Sequence, residues 1–317
     1  MDVVGIDVSK ADFHACLLQG EKRARKSFSN GTSGYRQLVA WLRNRKCKDV
    51  HVCMEATGAY WMGLAQVVHA SGLVVSVVNP SRTAMFARSQ LRRTKTDRVD
   101  AEMLADFCAT QHPSRWTPPA PKILELRNLL AYRDHIVSEQ VRLKQIATDL
   151  GLSDKLERLH DEQLETVAEV LDELKVQIHE IVRSDESIRK AVDALKAIKG
   201  IGFLTAVALV AKLPASRLRN GKAAAAYVGL SPQEWRSGTS IHGKTRICKT
   251  GNASLRRDLY LPAVTAVRYN PILATFARRL RDNGKPPKVV IAAVMRKLVV
   301  LAFHTIVETT LASPIAA

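Results

Sequence analysis

Four prolines fall within the ten residues His112-Pro113-Ser114-Arg115-Trp116-Thr117-Pro118-Pro119-Ala120-Pro121. A helix cannot run through such a stretch, so it reads as a stiff connector between two parts of different texture. Ahead of it, strand-like and helix-like runs alternate. Val3-Val4-Gly5-Ile6-Asp7-Val8 and Phe13-His14-Ala15-Cys16-Leu17-Leu18 are β-rich, and Gln19-Gly20-Glu21-Lys22 reads as a hairpin turn. Residues 34–44 carry Leu38, Val39, Trp41 and Leu42 at helical spacing. The strand Val50-His51-Val52-Cys53-Met54-Glu55, a helix over 60–70 and the strand Leu73-Val74-Val75-Ser76-Val77-Val78 follow, closed by Asn79-Pro80. A hairpin followed by β-α-β predicts a mixed sheet with flanking helices, an α/β unit. It places Asp7 and Glu55 at the carboxyl ends of two strands, the ligand edge of an open α/β sheet.

Beyond the connector the pattern is all-α. Residues 122–150 are strongly helix-forming, and Gly151-Leu152-Ser153 interrupts them. Leu164, Val167, Leu171, Leu174, Ile178 and Ile181 then recur at three- and four-residue spacing. That is the seam of a coiled coil, or equally a stripe buried against the chain's own helices. From residue 191 the chain is mostly helical. Ile198-Lys199-Gly200-Ile201-Gly202-Phe203 has the form of a helix-hairpin-helix turn, which presents backbone N–H groups to a phosphate; a glycine turn between core helices has the same form.

Charge separates the two parts further. The chain of 317 residues has a formal charge of +18, and 46% of its residues are apolar, too many for a disordered basic tail. Between Lys199 and Lys297 stand nineteen Lys/Arg and three acids (Glu234, Asp258, Asp282), so this segment carries +16 of the +18. A surplus so one-sided, interleaved with glycine and small residues, fits a nucleic-acid backbone. The apolar run 289–303 is split by Arg296-Lys297, and the first residues lack the pattern of a signal peptide; membrane insertion is not expected. The cysteines Cys16, Cys47, Cys53, Cys108 and Cys248 are scattered, without a C-x-x-C pair, and read as reduced thiols rather than disulfides or zinc ligands.

Two constellations could carry chemistry. Asp97 and Asp100 lie where a helix starts behind Thr96 as its N-cap, and at i,i+3 they share one face. Alone they could be acids complementing a helix dipole. With Asp7 and Glu55, which end apolar strands where a carboxylate needs a partner, they form an all-oxygen donor set suited to Mg²⁺ or Mn²⁺. Such ions clamp a phosphodiester. The second constellation runs from Gly229 to Arg246. Its hydroxyls could be those of a flexible loop, or Arg236, Lys244, Arg246 and Lys249 could supply the cations that a hydroxyl attacking a phosphate needs. Arg256 and Arg257 add to the same basic region. No Ser-His-Asp order is evident, and His242 reads as a loop histidine.

Val4-Gly5-Ile6-Asp7-Val8-Ser9-Lys10, Met54-Glu55-Ala56-Thr57-Gly58-Ala59-Tyr60, Asn79-Pro80, Lys95-Thr96-Asp97-x-x-Asp100-Ala101, Gly200-Ile201-Gly202 and Gly229-Leu230-x-Pro232-x-x-x-x-Ser237-Gly238 occur in one order along the chain. That ordered set, over about residues 3–300, resembles the DEDD transposases of bacterial insertion sequences, the one-ten family, kin to the Piv DNA invertase and known as bridge-RNA-guided recombinases.

The resemblance implies an N-terminal RuvC-like domain of ribonuclease-H fold over 1–152, with Asp7, Glu55, Asp97 and Asp100 as its Mg²⁺-binding quartet (Mn²⁺ as substitute). It implies a coiled-coil dimerisation segment over 153–190 and a mainly helical transposase domain over 191–317. Ser237 takes the position of a nucleophile that holds DNA as phosphoserine. Ser240, three residues on, is the alternative. Lys199, Gly200, Gly202, Arg236, Lys244, Arg246, Lys249, Arg256 and Arg257 would hold nucleic-acid backbones. The implied partners are a guide (bridge) non-coding RNA, donor and target double-stranded DNA, and further copies of the chain as dimer and tetramer, one subunit's carboxylates meeting another's serine. The implied location is the bacterial cytoplasm, at the nucleoid, with base pairing supplying sequence choice. Two competing readings are a RuvC-like junction nuclease using water and a non-catalytic nucleic-acid-binding scaffold. A sugar kinase, whose chains also open with Gly-Ile-Asp, leaves the basic last third without a role.

Overall fold

A computed structural model describes residues 1–47, 49–91, 96–151, 153–234, 236–237, 241–242 and 245–311, with the backbone alone at 236, 237, 241, 242 and 311. Two compact units, Met1–Pro119 and Ala120–Ala317, divide inside the proline-rich stretch.

The first unit is an α/β layer structure. Strands β1 (Asp2–Val8), β2 (Asp12–Gln19) and β3 (Lys22–Ser29) form an antiparallel meander. Helix α1 (Thr32–Asn44) leads to β4 (Val50–Glu55), and α2 (Trp61–Ala70) to β5 (Val74–Val78). Both later strands run parallel to β1, so the sheet order is β3-β2-β1-β4-β5. This is the hairpin and β-α-β expected from the sequence.

Alternation along the strands gives the sheet two covered faces. Val4, Ile6, Phe13, Leu17, Val52 and Met54 pack with Leu38 and Leu42 of α1 and Leu64 and Val68 of α2. Each such side chain fully buried is worth roughly 1.5–3 kcal/mol. On the other face Val3, Cys16 and Cys53 meet Ala101, Leu104 and Cys108 of α4 (Asp97–Gln111), preceded by the short α3 (Pro80–Ser89). Asn79 caps α3 through Ser81 N–H (2.8 Å), and Pro80 begins it, where a missing N–H costs nothing. Thr96 caps α4 through Val99 N–H (3.4 Å). His112, left-handed at φ 42°, ends α4 directly before Pro113. The connector is partly pinned: Trp116 N–H donates to the Val75 carbonyl (2.6 Å), and Ser76 Oγ lies 2.8 Å from the Ser114 carbonyl.

The second unit is helical. α5 (Pro121–Leu150) and α6 (Asp154–Arg183) form a long hairpin turning at Gly151 (φ 58°). Leu174 and Ile178 of the 164–181 stripe are buried, and Ile178 shares a core with Leu126 and Leu130 of α5, so this part of the stripe packs within the chain. α7 (Glu186–Lys196), α8 (Phe203–Lys212), a 3-10 turn (Ala215–Arg217) and α9 (Gly221–Val228) follow. The segment that the sequence leaves open as a loop holds four two-residue strands: β6 (Pro232–Gln233) paired with β9 (Arg246–Ile247), and β7 (Arg236–Ser237) paired with β8 (Ile241–His242). α10 (Ala253–Asp258), α11 (Tyr260–Tyr269), α12 (Pro271–Asp282) and α13 (Pro287–Leu311) complete the chain. By length and composition α13 could cross a membrane. Here Val290, Val294, Leu298, Val299 and Ala302 are buried in the unit's core against α7, α9 and α11, and Lys297 Nζ sits 4.9 Å from the Phe276 ring centre.

Candidate active site

The carboxylates of the first unit are placed by strand register. Gly5 pairs with Cys16 of β2 and Cys53 of β4, and two residues on, Asp7 pairs with His14. The same parallel register carries Asp7 alongside Glu55, which pairs with Val78. Asp7, His14 and Glu55 therefore lie on the face that α4 covers, at the carboxyl end of β1 and β4.

What brings α4 there is the glycine at position 5. A Cβ on it would stand 2.1 Å from the Ala101 carbonyl oxygen and 2.2 Å from the Ala105 nitrogen, so helix and strand approach backbone to backbone. Ala101 lies one turn into α4. The contact thus sets the first turn, with Asp97 and Asp100, at the Asp7 end of β1.

The electrostatics record the convergence. Burial, then the charges of Asp100, Asp97 and Glu55, push the Asp7 carboxyl up to about 6, while His14 acts the other way. His14 Nδ1 is 4.0 Å from Asp97 Oδ2. Glu55 is held on both oxygens: the Thr57 hydroxyl is 2.5 Å from Oε1, and the buried Thr83 hydroxyl on α3 is 2.7 Å from Oε2. His14, Arg25, Lys26 and Arg98 line a cleft of about 270 Å³ together with Ala101 of α4.

The donor set is all oxygen, and the mutual repulsion on Asp7 is what a hard divalent cation would relieve, so the residues fit such an ion in chemistry. Among the described residues, however, no three acidic, His or Cys side chains are gathered closely enough to hold one. Sequence reasoning did not find His14, Thr57 or Thr83 as site residues. His14 could have been found by counting the β1–β2 hairpin register, and Thr57 by its place two residues past Glu55. Thr83 carries no local signal.

In the second unit Ser237 lies in the β7–β8 ladder, opposite Ile241, and Arg236 opposite His242. Ser240, Lys244, Gly238 and, in the first unit, Lys95 lie outside the described residues, as does Leu152 at the expected domain boundary. The stems of the serine-bearing segment are tied together. Lys249 N–H donates to the Gly229 carbonyl (3.2 Å), and Asn252 N–H to that of Tyr227 (2.8 Å). Arg256 Nη1 donates to the carbonyls of Val228 (2.9 Å) and Lys249 (3.2 Å). Arg246 is exposed and pairs with Gln233. Arg257 is spent on Asp134.

The glycine turn between α7 and α8 is set by Gly200, at φ 112°, whose missing Cβ would stand 2.7 Å from Ala266 Cβ and 2.9 Å from the Pro262 carbonyl oxygen of α11. The Lys199 carbonyl accepts from Asn270 Nδ2 (3.3 Å). Gly202 is the N-cap of α8, with no side-chain cap hydrogen bond and open space where a Cβ would be.

Comparisons with known proteins place the chain among transposases, with a first match that runs past the connector into α5. A DEDD transposase family model of IS110 type matches residues 4–150, and one described as "Transposase IS116/IS110/IS902 family" matches 192–278. The pilin gene-inverting proteins of Moraxella lacunata and Moraxella bovis are each 31% identical to this chain over 308 residues, covering 96% of it and 95% of their own length. The y4rJ protein of Sinorhizobium fredii is 27% identical over 306 residues, covering 79% of this chain and 76% of its own length.

Proposed function

Because the chain belongs to the IS116/IS110/IS902 transposase family, and is thereby a DNA-binding transposase or recombinase, we propose that it cuts and rejoins DNA through Ser237 with the help of the Asp7, Glu55, Asp97 and Asp100 carboxylates. The observation that carries the reading is the crowding of three acids around Asp7 at the carboxyl edge of a mixed sheet. The order β3-β2-β1-β4-β5 supports a RuvC-like ribonuclease-H fold for this unit.

Asp7, Glu55, Asp97 and Asp100 would hold Mg²⁺, or Mn²⁺ in its place. Bound there, the ion supplies charge stabilisation at the scissile phosphate. Thr57 and Thr83 keep Glu55 aimed at the edge. In the second unit Ser237 Oγ attacks phosphorus, loses its proton, and displaces a deoxyribose oxygen that leaves as a hydroxyl. The serine–phosphate bond retains the energy for rejoining. Lys199, Gly200, Gly202, Arg236, Lys244, Arg246 and Lys249 form the surround in which DNA and RNA backbones lie, their five cations part of the +16 of this segment, while Arg256 and Arg257 brace it through the Val228 and Lys249 carbonyls and Asp134.

The same reading takes a guide RNA of the element as partner, pairing with donor and target DNA, and a dimer or tetramer in the bacterial cytoplasm as the working form. The organisation in this reading is a 1–152 catalytic domain that takes in α5 of the second compact unit, a 153–190 coiled coil part of whose stripe packs on α5, and a 191–317 transposase domain. The Moraxella relatives are named for inverting the pilin gene, a DNA rearrangement of the kind proposed for this chain.

The test is a denaturing gel of chain, guide RNA and end-labelled DNA. The expected result is a protein–DNA adduct that Ser237→Ala and Asp97→Ala each abolish. Mixing the two variants should restore it if carboxylates and serine come from different subunits. Cleavage that survives Ser237→Ala without any adduct would favour water as nucleophile.

A further inference from the structure

Beside the serine-bearing segment lies a cavity of about 450 Å³, within the usual range for a ligand site, lined by Arg127, Lys212, Tyr227, Asn252, Ser254, Arg257 and one carboxylate, Asp134. Tyr227 and Asn252 stand on the two stems of that segment, joined by the Asn252 N–H bond to the Tyr227 carbonyl. The cavity therefore sits at its base.

Charges within it are unequally satisfied. Lys212, only 11% exposed, reaches Asp258 Oδ2 at 2.9 Å, Ser254 Oγ at 2.8 Å and Asp134 Oδ2 at 3.7 Å. Arg257 Nη2 meets the same Asp134 oxygen at 2.5 Å and Asp258 Oδ1 at 3.7 Å. Two cations and two carboxylates cancel.

Arg127 is left over. Its Nε–H donates to the Ala211 carbonyl (2.5 Å), and among the described residues no carboxylate forms an ion pair with it. Burial holds its guanidinium below the usual arginine range, against the opposing pull of Tyr227 and with a smaller push from Arg217. A partly buried guanidinium without a carboxylate partner is unfavourable by itself and becomes favourable when an anion joins it. Its remaining donors form a planar fork suited to two oxygens of one phosphate. The Tyr227 hydroxyl and the amide nitrogen of Asn252, whose oxygen accepts from Leu255 N–H, add neutral donors, while the Ser254 hydroxyl is engaged by Lys212 and Asp134.

We propose that this cavity is a phosphate site for duplex DNA, in which Arg127 grips one backbone phosphate at the root of the Ser237 segment. Among polyanions, DNA is favoured because the residues lining the cavity bracket the segment that the proposed function assigns to DNA. The proposal rests on that reading only for the identity of its partner, and binding is measured without strand transfer, so the two fail separately.

The experiment uses the full chain and a labelled DNA duplex, with binding followed by fluorescence anisotropy across a salt series. Arg127→Gln should weaken binding about tenfold near 0.1 M salt and reduce the slope of log K against log salt by about 0.9, the share of one duplex phosphate. An unchanged slope in a folded variant overturns the proposal.

Should Arg127→Gln not fold, the wild-type chain answers by phenylglyoxal modification read by peptide mass. Duplex DNA should protect Arg127. Equal protection by inorganic phosphate at the same phosphate concentration, protection by an RNA hairpin but not by the duplex, or no protection would each overturn it.

Discussion

Gly5 of β1 and Ala101 of α4 approach so closely that a single methyl group on the glycine would lie 2.1 Å from the alanine carbonyl oxygen. Two carboxylates of the candidate site hang on the helix so placed, and a third stands two residues along the strand. Gly5→Ala must therefore displace α4. Overpacking of this kind costs about 1–3 kcal/mol. The expected outcome is a lower melting temperature together with loss of strand transfer beyond what the stability change explains. Unimpaired strand transfer in the folded variant would detach the α4 contact from catalysis.

The Asp7 carboxyl, pushed up to about 6 from an ordinary 3.8, ties stability to pH. The fold retains a proton that the unfolded chain gives up. Stability from this group is thus complete below about pH 4 and is lost as pH rises through 6. Asp7→Asn mimics the protonated form. Without divalent ions it should be more stable than the wild type at pH 7.5, by about 1–2 kcal/mol once solvent screening of this partly exposed group is discounted, and about equal at pH 4. Thermal melts at the two pH values decide; a variant less stable at pH 7.5 would contradict the crowding.

Thr83 is almost fully buried, and its hydroxyl touches Glu55 at 2.7 Å, so Thr83→Val keeps volume while removing the polar contact. Groups that orient such a carboxylate typically matter 10–100-fold in activity or metal affinity. We expect a rate loss of that order with DNA affinity unchanged. Thr83→Ser should recover most of it, which a purely packing role would not predict.

Arg256 joins the carbonyls of Val228 and Lys249, at opposite stems of the serine-bearing segment. Arg256→Ala should free residues 229–252, seen as faster hydrogen exchange there, and abolish adduct formation. Charged hydrogen bonds of this kind are worth about 1.5–3 kcal/mol. If loss of Arg256 reduces the salt slope of DNA binding but leaves exchange unchanged, the residue is a phosphate contact instead.

Much of the first unit was legible because apolar alternation and helical spacing are local signals. Asp7 and Glu55 stood out as charges at the ends of apolar runs, and Thr96 as a cap. β3 was harder to read, since Lys22, Arg23, Arg25 and Lys26 obscure its period of two, leaving Ala24 and Phe28 as its only inward signal. The roles of His14 and Thr83 depend on register and on helix packing, which no local pattern carries. The meaning of Gly5 is likewise tertiary, for only the neighbouring helix reveals why a side chain is excluded there. In the second unit, the 164–181 stripe was correctly periodic, but spacing alone could not tell a partner chain from α5.

The Trp116 bond to Val75 has a further consequence. With it the connector occupies main-chain hydrogen-bonding positions on the outer side of β5, while the opposite margin of the sheet belongs to β3, whose lysines and arginines repel a second copy of themselves. Strand addition is thereby disfavoured at both margins, which protects the central sheet from templating fibrous aggregates.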